Sequence, residues 1–124
     1  MADFVIADLV SEKGNILTDS CLEFAPATIR VLNPTLKSLG FLSSQSKLYS
    51  EPKYKQEKQI SVLNMTDSDI FYPVKETEGF VEKISVKVPF SKQVKEQILT
   101  GEIFNTVSDK KFNEAITNLS RMVI

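Results

Sequence analysis

The stretch that most constrains this chain is residues 80–99, FVEKISVKVPFSKQVKEQIL. Ile84, Val86 and Val88 alternate with Ser85 and Lys87, the period-two pattern of a half-buried strand. Pro89 then removes a backbone donor, and Ser91 offers a side-chain oxygen to the first free amides of a helix over 91–100. Val94, Ile98 and Leu99 put an apolar stripe on that helix, and Gly101 is a natural stop. A strand–turn–helix corner of this kind needs a core to pack against. It carries no chemistry of its own.

The chain around it has 124 residues, which suits a single domain spanning 1–124. A domain of this mass buries roughly two-thirds of the surface its unfolded chain exposes, enough for one core without metals or disulfides. The net charge of −1 creates no field that would gather nucleic acid or acidic lipid over the whole surface. Apolar runs are only a few residues long, far short of the ~20 that a membrane-spanning helix needs. The opening MADFVIADLVSE has no basic region, and Asp3 and Asp8 interrupt its apolar part, so it does not read as a signal peptide. These features predict a cytoplasmic protein, or a virion component if the chain is phage-encoded.

Histidine is absent and Cys21 is the single cysteine. Ser–His–Asp, Cys–His and His-bearing metal chemistry are excluded with them, as is an internal disulfide. Cys21 has no basic neighbour and reads as a packed, inert thiol. Asp67 and Asp69 form a D-x-D pair able to offer oxygen ligands, but no Gly or Glu follows at EF-hand spacing, and a turn is the expected role. The four glycines are isolated, so no phosphate-binding loop is present. No catalytic residue, metal site or cofactor is expected.

Residues 3–10 and 16–24 read as a β-hairpin, with Gly14 in the turn. Residues 26–40 read as a helix broken near Pro34 and stopped at Gly40, with Ile29, Leu32, Leu36 and Leu39 three or four apart. Arg30 among them reads as a snorkelling surface residue. Residues 42–58 have the composition of an exposed loop, 59–65 of a short strand, and 70–74 of an edge strand around Pro73. Ile103 and Phe104 read as buried pegs in a linker. A final helix is expected with Ser108 as its N-cap and Phe112, Ala115, Ile116 and Leu119 on one face. The fold class predicted is α+β: a mainly antiparallel sheet of the N-terminal hairpin plus two or three further strands, with the broken helix and two C-terminal helices packed on one face.

Two segments stand out as candidate contact sites. In the 42–58 loop Lys47, Lys53, Lys55 and Lys58 are interleaved with Tyr49 and Tyr54, the combination that meets phosphates and stacks on bases. At the C-terminus Met122, Val123 and Ile124 form an apolar tail that either covers its own core or faces a partner. The function expected is a non-enzymatic assembly or partner-binding protein, of the kind that serves as a small structural or accessory subunit in phage or mobile elements. Its partner is another protein or a second copy of itself, with no membrane involved. The alternative is single-stranded nucleic-acid binding through the Lys/Tyr loop.

Overall fold

The computed structural model describes residues 3–11, 14–68, 74–77 and 83–124. Its centre is a three-stranded, all-parallel sheet of order β1–β2–β3, formed by Thr28–Leu32, Gln59–Thr66 and Val86–Pro89. Helices lie between the strands: α1 (Ile16–Phe24) precedes β1, α2 (Leu36–Tyr49) joins β1 to β2, and α3 (Val74–Thr77) lies between β2 and β3. Two more, α4 (Lys92–Thr100) and α5 (Lys110–Val123), follow. The architecture is α/β, which corrects the expected antiparallel α+β sheet. Parallel strands need long crossovers, and helices supply them here.

Neither arm of the expected hairpin is a strand. Gly14 does turn the chain, with φ +87°, but the exit is helical. Asn15 Oδ1 accepts from the amides of Leu17 and Thr18 at 3.1 and 3.2 Å, an N-cap that starts α1. Thr18 and Leu22, four apart, are its buried residues. Residues 3–11 form neither strand nor helix.

The broken helix of 26–40 is instead a strand followed by the start of a long helix. The β-branched run TIRVL pairs in register with β2, Thr28 opposite Gln59 through Leu32 opposite Leu63. Pro34 is buried in the turn, and Thr35 Oγ1 accepts from the Ser38 amide at 3.2 Å to cap α2. Helix α2 then runs through Gly40 and the first half of the segment that reads as a loop, as far as Tyr49. The serines that make the segment look irregular bond back along the helix, Ser44 to the Phe41 carbonyl at 2.7 Å and Ser46 to that of Ser43 at 2.9 Å. Gly40 has nothing within 4 Å of a would-be Cβ and no positive φ. Gly40→Ala is therefore expected to raise the unfolding free energy by about 0.5–1 kcal/mol in urea titrations.

Strand alternation divides the core in two. On one sheet face Leu32 and Leu63 meet Leu39 and Leu42 of α2, with Ile84 beside them. On the other, Ile60, Val62, Val86 and Val88 meet Ala115 of α5, with Ala27, Phe112 and Leu119 packed against the group. Helices α2 and α5 thus cover opposite faces, which corrects the expectation of helices on one side. Central β2 is buried on both faces from Ile60 to Leu63, as in parallel sheets generally.

The expected strand–turn–helix corner is present. Ser91 caps α4 by accepting from the Val94 amide, and Gly101 ends it at φ +76°. The cap of α5 is Asp109 rather than Ser108, its carboxylate accepting from the Phe112 amide at 3.2 Å. No residue of α4 is buried, and Ile103 and Phe104 are exposed rather than pegged into a core. Gln93 and Gln97 hold the 102–108 connection to α4 instead, through the Thr106 and Asn105 carbonyls and the Ser108 amide. The proposed edge strand at 70–74 lies almost wholly outside the described residues, and Val74 begins α3. Asp69 lies outside them too.

Candidate protein-docking surface

Within β1 the parity of the strand sets two different surfaces back to back. Thr28, Arg30 and Leu32 turn towards α2. Ile29 and Val31 turn to the face that α5 covers, yet they are 42% and 61% exposed. The reason is the position of α5. It packs over β3, and the cleft between them touches Ser85, Val86, Lys87 and Lys111, Ala115, Met122. Val86 and Lys87 point to opposite faces, so this cleft follows the edge of β3 away from β2, beside which no strand lies among the described residues. Ile116 and Val123 sit about a quarter of a turn around from Ala115, on the side away from that cleft, and both are exposed. Ile29 and Val31 on β1 and Ile116 and Val123 on α5 are thus left as exposed apolar surface.

The α5 border of this surface is neutral. On α5 the charged residues Lys110, Lys111, Glu114 and Arg121 fall on the opposite arc, whereas Asn113, Thr117 and Ser120 border Ile116. Beyond β1 the sheet has no further strand among the described residues, so one side of the β1 backbone has no ladder partner. Edge strands are usually protected by proline, lysine or a bulge. TIRVL has none of these, and its one charge is turned away.

That charge is Arg30. Its guanidinium lies 4.6 Å from the centre of the Tyr49 ring, and Nη2 donates to Ser61 Oγ at 3.2 Å. Nε is buried with no partner, and no carboxylate among the described residues pairs with the group. Burial lowers the Arg30 pKa from its ordinary value, an effect that Tyr49 opposes. Arg30 is thus half-buried against α2, anchored by Tyr49 and Ser61, rather than a snorkelling surface side chain.

The Lys/Tyr segment is divided by the fold. Lys47 and Tyr49 belong to the last turns of α2, and Tyr49 carries Arg30 on its ring. Tyr54 is only 2% exposed. Gln59 Nε2 fixes the turn by donating to the carbonyls of Tyr49 and Tyr54 at 3.1 and 3.3 Å. Lys53 lies over the Tyr54 ring at 4.6 Å and pairs with Glu51 at 3.5 Å. Lys55 is exposed and Lys58 half-buried. The structure therefore brings together no row of open rings flanked by lysines: one ring is occupied by Arg30 and the other is in the interior.

The apolar tail reads differently. Met122, Val123 and Ile124 are all exposed, and Val123 continues the strip on α5. Ile98, Leu99, Ile103 and Phe104 form a separate exposed group at the end of α4. The cleft along β3 has a volume of about 640 Å³ and mixes Lys87, Lys111 and Arg121 with Asp67 and Glu114. Among the described residues no group of three or more His, Cys, Asp or Glu is placed to hold a metal ion. Among them, too, no helix is long and apolar enough to cross a membrane.

Ile29 and Val31 are the site residues that sequence reasoning passes over. Their signal was the alternation around Arg30 in a β-branched run, which competes with an equally good three-and-four spacing to Leu32 and Leu36. Comparison with protein-family models, with curated proteins and with solved structures finds no match to this chain.

Proposed function

We propose that the protein is a non-enzymatic assembly module that docks a protein segment along β1, over Ile29 and Val31. The observation that carries this reading is an unprotected edge strand whose solvent side is apolar. Adding a strand there would satisfy the outward backbone groups of β1 and bury both side chains at once. The strip on α5, Ile116 and Val123, gives the added segment a wall to pack against. A neutral border on α5 favours an apolar occupant over a phosphate backbone, which would seek cations. The interior position of Tyr54 weighs in the same direction.

A photoreactive benzophenone side chain placed at 31, with a control at 110 on the charged arc of α5, tests the reading in the cells that make the protein. The expected result is a protein adduct from position 31 and little or none from 110. No adduct at 31, or an adduct to nucleic acid alone, contradicts it.

A further inference from the structure

An occupant for the β1 edge is present in the sequence itself. Residues 3–11 carry no regular structure, and Val5 and Ile6 are 88% and 93% exposed. Phe4 and Val10 are also exposed. The run D-F-V-I-A-D-L-V is rich in strand formers, and a cluster of exposed apolar side chains of this kind marks an interaction site. Its base is fixed: Thr18 Oγ1 donates to the Val10 carbonyl at 3.0 Å. Eight residues in extended form reach up to roughly 27 Å, more than enough to run the length of the five-residue β1.

We propose that the N-terminal arm of one copy adds as a fourth strand to the free edge of β1 in a second copy, reciprocally, giving a closed two-fold dimer. The inference rests on the docking surface described above and names what fills it. Charge supports this choice of occupant. The arm carries Asp3 and Asp8 and no basic residue, whereas β1 carries one charge, Arg30, unpaired with any carboxylate among the described residues. Period-two geometry makes the two compatible. With Phe4 and Ile6 laid beside Ile29 and Val31, Asp3, Val5 and Ala7 fall on the side of Arg30. Asp3 then shares a face with Arg30, diagonal to it, and Phe4 and Ile6 share the other with Ile29 and Val31, while Asp8 falls past the end of the five-residue strand. Reciprocal exchange closes the assembly at two copies, because each arm is taken up by the other copy's β1.

The test uses two full-length proteins, Ile6→Cys and Val31→Cys, each also carrying Cys21→Ser so that the new thiol is the only one. Each is treated with a short bis-maleimide alone and in a 1:1 mixture, after far-UV circular dichroism has shown that both are folded. The expected result is a covalent two-chain product in the mixture and not in either protein alone. A product from either protein alone overturns the arrangement, because it reports arm-to-arm or edge-to-edge contact. So does a link closing within one chain of the Ile6→Cys/Val31→Cys double variant, which places the arm on its own edge. No product at all also overturns it. If that failure is accompanied by a heterologous adduct at position 31 in cells, the docking surface stands and only its occupant is wrong.

Discussion

Tyr54→Ala is expected to lower the unfolding free energy by about 3 kcal/mol, seen in urea or thermal denaturation as a Tm fall on the order of 10 °C. Tyr54 is among the largest fully buried side chains, 2% exposed, in a turn where its neighbours Lys53 and Lys55 are open to water. Removing the ring takes away its transfer free energy and leaves a cavity that a turn held by the Gln59 amide cannot fully close. The cation–π contact with Lys53 adds little, since that ammonium is exposed. A change below about 1 kcal/mol would be that of a surface tyrosine. It would return Tyr54 to the role of a stacking platform, with single-stranded nucleic acid as the ligand to examine.

The second large effect is on association. In light scattering the unaltered chain is expected to give the mass of two copies and the Ile29→Asp/Val31→Asp protein the mass of one, with the far-UV spectrum unchanged. Both side chains are exposed in the single chain, so carboxylates there cost the monomer little beyond weaker strand propensity. In the assembly the same carboxylates would be buried beside Phe4 and Ile6 with no cation on that face, a burial that costs several kcal/mol per charge. A mass unchanged by the two substitutions would remove β1 from the interface. Loss of the folded spectrum together with the mass would instead place Ile29 and Val31 in the core.

What could be read from the chain divides along the range of the interactions. Strand β2, the β3–α4 corner and α5 are signalled locally, by Ser91, Gly101 and the apolar spacing from Phe112 to Leu119, and the structure shows them all. Helix α1 was hidden by Gly14-Asn15, a pair that suits a hairpin turn as well as it suits an N-cap. Helix α2 was hidden by its serines, whose low helix preference is offset only once Leu39 and Leu42 find Leu32 and Leu63 across the sheet. Parallel pairing itself has no local signal. It is decided by contacts between segments about thirty residues apart, such as Val31 beside Val62. The candidate site follows the same division. The tail residues at 122–124 were visible as an apolar terminus, but Ile29 and Val31 become a surface only when α5 settles over β3 and leaves β1 uncovered.

Whether β1 is an edge completed by another strand is read out by hydrogen–deuterium exchange of the peptide covering residues 26–33. The protein is taken as isolated from the cells that make it and set beside the Ile29→Asp/Val31→Asp variant. Slow exchange across this peptide in the unaltered protein, with the outward amides becoming fast in the variant, is the predicted result. Equally fast exchange of those amides in both would mean that nothing pairs with the β1 edge, and would contradict the account.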